Sequence, residues 1–282
     1  MQVGETVRGL LELTRPANAV AAGFLAVVGG VVALDAPSTT DGLALLAASA
    51  TTALATGGGM AINDYFDREI DRTNDPDRPI PRGAVSPRGA LAFSAVLFLG
   101  AVVLALTLPT LAIAIAAVNL VALVAYTELF KGLPGVGNAL VSYLVGSAFL
   151  FGGAAVGNPT ASAVLAALAA LSTFAREVIK DVEDIVGDRQ EGLRTLPIAV
   201  GERRSLWVAA VALLVAVVAS PVPYLLETFG VGYLVVVVPA DAVMCYAAYR
   251  SFDDATAGQS LLKYGMFVAV VAFLVGRATV LV

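Results

Sequence analysis

Apolar residues fill long blocks of this chain, and short polar stretches separate the blocks. Each block holds about 17 to 21 residues, which is enough for a helix to cross a hydrocarbon core roughly 30 Å thick. Because backbone polar groups in lipid must be satisfied within the protein, such blocks predict helices. The predicted spans are 17–34, 43–63, 90–108, 111–127, 137–156, 161–179, 206–226, 232–250 and 262–281. The pattern predicts an all-α integral membrane protein: a single domain over residues 1–282, with a bundle of nine transmembrane helices and a cytoplasmic cap of loop helices.

The composition agrees with a lipid environment. Hydrophobic residues make up 59% of the chain and charged residues 14%, against roughly 45–50% and about 25% in soluble domains. The chain has no histidine and a single cysteine, Cys245. This excludes an imidazole base, an intrachain disulfide and a cysteine cluster for a metal. Any chemistry therefore depends on carboxylate, amide, hydroxyl, lysine or arginine groups.

Lysine and arginine predict the orientation, since short basic loops stay in the cytoplasm. Nearly all basic residues fall on one side of the predicted spans, mostly in the polar segments 63–90, 127–137 and 176–205. Arg277 alone falls toward the other side. With nine crossings, we expect a multi-pass protein of the cell membrane. Its N-terminus is predicted to be cytoplasmic, its C-terminus extracellular, and its active site cytoplasmic.

A run of oxygen-bearing side chains follows directly from the second apolar block. Asn63, Asp67 and Asp71 are four residues apart, and Asp64 precedes Asp67 by three. One helical face is therefore predicted to present all four. Like charges at this spacing repel one another, so the run favours a bound cation.

A second acidic run leaves the sixth apolar block. Glu177, Asp181, Asp184 and Asp188 lie on one helical face by steps of four, three and four. Two such stripes on the same side of the membrane suit Mg²⁺, which takes one or two protein carboxylates together with substrate phosphate oxygens. The alternative interpretation of each stripe is a solvated face that interleaves ion pairs.

At these residues the chain resembles the UbiA superfamily of membrane prenyltransferases, and the resemblance covers nearly the whole chain. The stretches similar to family motifs are N-D-Y-F-D-R-E-I-D at 63–71, R-P-I-P-R-G at 78–83, D-I-V-G-D at 184–188 with Gly192 and T-L-P at 195–197, R-P-A-N at 15–18, and Tyr126 with Lys131.

The resemblance implies a Mg²⁺-dependent enzyme that transfers a prenyl group from an isoprenyl diphosphate to a lipid-like acceptor within membrane lipids. Residues 176–184 most resemble the archaeal enzymes that make digeranylgeranylglyceryl phosphate. Those enzymes join a geranylgeranyl group to the free hydroxyl of geranylgeranylglyceryl phosphate, which forms the second ether bond of archaeal lipids. Two alternatives stay open: an aromatic or tetrapyrrole acceptor, and, from another class, a secondary transporter. The sequence indicates no nucleic acid and no obligate protein partner.

Departure of diphosphate concentrates negative charge, which metal ions and basic groups stabilise. We expect one Mg²⁺ at Asn63 and Asp67 with Asp64 and Asp71, and another at Asp184 and Asp188 with Asp181. The residues predicted to clamp the diphosphate are Lys131, Arg72 and Tyr126, with ordinary ion pairing of Arg72 and a topology signal at Lys131 as the alternatives.

Three further roles are predicted. Arg15 and Asn18 bind a phosphate or prop the start of the first helix. Glu177 and Asp181 are the candidate bases that take the hydroxyl proton of the acceptor, since the chain lacks histidine. The glycines at 57–59 and 152–153 line a tunnel for the prenyl tail or pack helices closely.

Overall fold

The computed structural model describes residues 3–36, 38–126, 130 and 132–280. Within these ranges the chain forms helices and no strand, which confirms the predicted fold class. The helices are α1 (Val3–Leu13), α2 (Pro16–Ala33), α3 (Thr39–Phe66), α4 (Arg68–Asn74), α5 (Pro87–Ala105), α6 (Thr110–Ala125), α7 (Val136–Ala155), α8 (Pro159–Glu183), α9 (Ile185–Gln190), α10 (Leu196–Val200), α11 (Glu202–Ala219), α12 (Val222–Leu225), α13 (Val231–Arg250) and α14 (Ala255–Ala278).

Eight helical segments in the described ranges are long and apolar enough to cross a membrane. They are α2, α3, α5, α7, α8, α13, α14 and the segment of α11 with α12. The remaining predicted span, 111–127, coincides with α6, an apolar helix of 16 residues. A multi-pass membrane protein is therefore confirmed, whereas the count of nine crossings stays a prediction.

Local sequence signals explain where the spanning helices begin. Ser38 and Asp41 form a capping box at the start of α3, because the Asp41 N–H donates to the Ser38 hydroxyl while the Ser38 N–H donates to the Asp41 carboxylate. Prolines stand at the first positions of α2, α5 and α8, where a missing N–H costs nothing. Helix α3 starts four residues before the predicted span and continues three residues beyond it, into the first acidic run.

Glycines allow α2 and α7 to cross at close range. A Cβ added to Gly29 would overlap the backbone of Phe149, and one added to Gly152 would overlap the backbone of Ala26. On α3, Gly58 faces the ring of Phe98. These small residues therefore serve helix packing, which is their common use in membrane bundles.

An apolar core with a cavity of about 80 Å³ lies between α2, α7, α8, α11, α13 and α14. Its walls carry the aromatic rings of Phe149, Tyr233 and Phe273. Its lining also includes Ser172, Ser220 and Asp241, and the Ser220 hydroxyl donates to Asp241 Oδ2 at 2.6 Å. The cavity thus lies between the helices of the bundle and is mainly apolar.

Candidate active site

Helices α3 and α8 both finish at the acidic runs, and we call this end of the bundle the acidic end. The helical path continues through the first run, because the Asp67 N–H donates to Asn63 O and the Asp71 N–H to Asp67 O, both at 2.9 Å. The side chains, however, divide into two sets. Asn63 Nδ2 donates to Asp67 Oδ2 at 2.8 Å, and this amide–carboxylate pair forms the first set.

Asp64 and Asp71 form the second set and face arginines. Both are buried, with 4% and 5% of their surface exposed. Arg78 Nη1 donates to Asp71 Oδ2 at 2.8 Å and to Asp64 Oδ1 at 3.3 Å, while Arg15 Nη2 reaches Asp64 Oδ1 at 3.0 Å. Burial raises the pKa of Asp71 above its ordinary value, and the charge of Arg78 opposes that shift. The pairing with Arg78 was not predicted, although the conspicuous R-P-I-P-R-G stretch contained the signal.

The second acidic run passes from α8 into α9 with the same backbone continuity, since the Asp188 N–H donates to Asp184 O at 3.0 Å. Its side chains also find separate partners. Lys180 Nζ pairs with Asp184, and Asn138 Nδ2 of α7 donates to Asp181 Oδ2 at 2.9 Å. Burial raises the pKa of Asp188. Four residues before Asp181, Glu177 accepts from Arg176 Nη1 at 2.7 Å.

A polar cavity of about 40 Å³ lies beside the second run. Its polar lining consists of Tyr126, Asn138, Glu177, Asp181 and Thr195. Three of these residues, Tyr126, Glu177 and Asp181, were predicted from the sequence as site residues. Asn138 was missed, because a single amide within an apolar block carries no periodic signal.

Tyr126, the residue after α6, shows that the two runs converge. Burial raises its pKa to about 12, and the negative charges of Glu177, Asp181, Asp67 and Asp188 contribute to the shift. These carboxylates belong to both runs. A second link lies farther out, where Asn74 Nδ2 at the end of α4 donates to Glu191 Oε1 at 3.1 Å.

The remaining predicted residues do not line this cavity or lie outside the residues that the structure describes. Arg72 pairs with Glu69 at 2.6 Å, and both side chains are more than 60% exposed. Asn18 is exposed on the first turn of α2, whereas Arg15 points to Asp64. Lys131 lies outside the described residues.

The donor set fits a divalent cation that brings further ligands of its own. Within the described ranges, no three acidic side chains are grouped so as to hold a metal by themselves. Asn63 with Asp67 and Asp184 with Asp188 instead offer paired oxygen ligands at the acidic end. Mg²⁺ suits such partial sites, because it is commonly bound by one or two carboxylates and completed by phosphate oxygens or water.

Comparison with known proteins shows the family of the chain. The model of the UbiA prenyltransferase family matches residues 22–271. A protein of Natronomonas pharaonis named digeranylgeranylglyceryl phosphate synthase is 64% identical over 98% of this chain and 99% of its own length. A protein of the same name from Halobacterium salinarum is 62% identical over 97% of this chain and 98% of its own.

Solved structures share the fold. One, from a study of digeranylgeranylglyceryl phosphate synthase in membranes, superposes with a TM-score of 0.85 at 34% identity and covers 98% of this chain and 99% of its own. A UbiA homolog from Archaeoglobus fulgidus bound to GPP and Mg²⁺ superposes with a TM-score of 0.73 at 17% identity, covering 97% of this chain and 100% of its own. The second likeness shows the fold alone.

Proposed function

Because the chain belongs to the UbiA prenyltransferase family, we propose that it transfers a geranylgeranyl group from geranylgeranyl diphosphate to the free hydroxyl of geranylgeranylglyceryl phosphate. The product carries the second ether bond of an archaeal membrane lipid. Relatives at 57–64% identity that bear the name of this synthase support the acceptor. The convergence of two acidic runs beside the Tyr126 cavity is the structural observation that carries the reaction class.

We assign Mg²⁺ binding to Asn63 and Asp67 in the first run and to Asp184 and Asp188 in the second. Mg²⁺ held by each of these pairs would supply Lewis acidity that stabilises the negative charge of the departing diphosphate. Asp181 borders the second pair. Lys180, which pairs with Asp184 in this structure, is placed to exchange that carboxylate for a diphosphate oxygen.

Asp64 and Asp71, also predicted as metal ligands, support the first pair through Arg78 and Arg15. A buried carboxylate held by two guanidinium groups is fixed in position, and Asp64 directly follows Asn63 in α3. Groups of this kind orient metal ligands. Their removal commonly lowers metal affinity or activity about 10–100-fold. Arg72, Lys131 and Asn18 stay predictions for binding the substrate phosphates.

Proton removal from the acceptor hydroxyl is assigned to the polar cavity. Asp181 lines it together with Glu177, and Asn138 Nδ2 donates to Asp181 Oδ2 at 2.9 Å. Tyr126 keeps its proton at neutral pH, as an ordinary tyrosine does, and burial with the surrounding carboxylates raises its pKa further, to about 12. Its hydroxyl is therefore a hydrogen-bond donor beside the base.

The apolar parts of both substrates require space among the helices or in lipid. The cavity of about 80 Å³ lined by Phe149, Leu168 and Phe273 lies in the bundle interior and has room for only a small part of a prenyl chain, so the rest of the chain requires space in lipid or between helices. The distribution of basic residues supports a cytoplasmic acidic end. An aromatic acceptor would use the same metal and diphosphate groups, and it is the alternative that the first experiment must separate.

The test is incubation of the purified protein in lipid with Mg²⁺, radiolabelled geranylgeranyl diphosphate and a panel of acceptors. We expect product only with geranylgeranylglyceryl phosphate, and loss of product in Asp67→Ala and Asp184→Ala. Prenylation of an aromatic acceptor instead would replace the substrate and keep the mechanism. Full activity of both variants would overturn the metal assignment.

A further inference from the structure

The first helix, α1, carries an exposed apolar stripe. Val3, Val7 and Leu11 recur every fourth residue and therefore lie on one side of the helix. Their exposed fractions are 79%, 52% and 58%. Three neighbouring apolar side chains exposed on one short helix are costly in water, so this face calls for a covering partner.

The other sides of α1 are already occupied by the protein. Gly9 packs closely against Val85 and Ala84, in the turn between α4 and α5. Glu12 Oε2 accepts from Arg82 Nη2 at 2.5 Å, and Glu5 lies 3.4 Å from Arg82 Nε. The charged face thus docks on the polar turn at the acidic end, which leaves the apolar stripe directed away from that contact.

Along the chain, the stripe is followed by apolar residues that are exposed on the spanning helix α2. After the turn at Arg15, where φ is +44°, the exposed apolar residues resume on α2 with Val20 and Phe24. With 11 residues, α1 is about 16 Å long, which is too short to cross a hydrocarbon core roughly 30 Å thick. A helix with one apolar face and one charged face at this position matches an interfacial helix, which lies in the plane of the membrane surface.

We propose that α1 lies on the lipid surface at the acidic end, with the stripe of Val3, Val7 and Leu11 immersed at the boundary between headgroups and acyl chains. The partner is the bilayer itself. An α1 held at the membrane surface would also hold the position of Arg15, which follows α1 and donates to Asp64 at 3.0 Å. The proposal does not depend on the prenyl acceptor or on the identity of the metal.

Tryptophan fluorescence tests this placement. Trp207 is the single tryptophan of the chain, and Trp207→Phe keeps an aromatic ring against Phe252. In that background, Val7→Trp places a probe on the stripe, and Arg8→Trp places a matched probe on the neighbouring charged face, where the side chain is 72% exposed. Both variants are reconstituted in nanodiscs whose lipids are brominated near the headgroup end of the acyl chain.

We expect brominated lipid to quench the Val7→Trp emission at least twofold more strongly than the Arg8→Trp emission, and aqueous iodide to show the reverse order. Equal quenching of both probes by lipid would overturn the proposal. So would a Val7→Trp probe that neither quencher reaches, because that result would indicate cover by protein, such as a second copy of the chain. Leu11→Trp repeats the measurement one turn farther along, in case the substitution at Val7 disturbs α1.

Discussion

Arg78 Nη1 donates to Asp71 Oδ2 at 2.8 Å, and this ion pair holds the buried end of the first acidic run. The same nitrogen reaches Asp64 at 3.3 Å, while Arg78 Nε binds Asp75 at 2.9 Å. One guanidinium thus ties α3, α4 and the following turn together. Because two of its partners are buried, the contact differs in kind from the surface pair of Arg72 and Glu69.

We expect Arg78→Leu to lower the free energy of unfolding by about 3–5 kcal/mol, since it leaves buried Asp71 without its arginine and leaves buried Asp64 with Arg15 alone. The matched variant Arg72→Leu removes only an exposed ion pair and should cost about 1 kcal/mol or less. Denaturation of the two variants in the same detergent, followed by circular dichroism, measures the difference. Equal losses would show that Asp64 and Asp71 do not depend on Arg78.

Asp67→Asn should raise the Mg²⁺ concentration needed for half-maximal activity at least tenfold, because it replaces a charged ligand by a neutral one. Asp77→Asn is the control, since Asp77 is an exposed carboxylate ten residues along the chain. Removal of Mg²⁺ with a chelator should abolish turnover of the wild-type protein, and added Mg²⁺ should restore it. An unchanged Mg²⁺ titration in Asp67→Asn would contradict the assignment of this ligand.

Asn138→Ala should lower kcat about 10–100-fold, because it removes the group that orients Asp181. It should also destabilise the fold by about 1–3 kcal/mol, the cost of leaving a buried acceptor unpaired. Steady-state kinetics with varied acceptor measure the effect on kcat, and thermal unfolding measures the effect on stability. A variant that folds less stably but turns over at the wild-type rate would assign Asn138 a structural role alone.

The pKa of Tyr126 predicts an alkaline effect with a defined sign. The folded-state pKa is raised from 10.0 to about 12, so the folded state retains a proton that the unfolded state releases. Stability from this group is therefore intact below pH 10 and is lost as the pH rises toward 12. Across that range, Tyr126→Phe should lose less stability than the wild-type protein, by up to about 3 kcal/mol, since each pKa unit corresponds to about 1.4 kcal/mol. Parallel pH curves for the two proteins would rule out the shift.

Gly152→Ala and Gly42→Ala should change stability in opposite directions. An added Cβ at Gly152 collides with the backbone of α2, whereas nothing lies within 4 Å of one at Gly42. Overpacking at Gly152 should cost about 1–3 kcal/mol, and helix propensity at Gly42 should contribute up to about 1 kcal/mol. Thermal unfolding of both variants tests the close crossing of α2 and α7. Stabilisation by both would indicate that these helices are not in contact.

Sequence periodicity predicted the spanning helices well, because block length and hydropathy are local properties that lipid enforces. It also identified the two acidic runs, since steps of three and four residues place side chains on one helical face. It did not predict that Asp64 and Asp71 face Arg78, or that Asn138 supports Asp181. The second contact joins residues 43 positions apart, and no local pattern encodes which helices become neighbours.

Helices α3 and α8 contain 28 and 25 residues and finish at the two acidic runs. A long helix carries a macrodipole that amounts to roughly half a negative elementary charge at its C-terminal end. The backbone of two helices therefore contributes negative potential at the place where the carboxylates converge, before any side chain is counted. Replacing a single carboxylate should weaken the attraction for a cation in a graded way, because part of that attraction belongs to the fold.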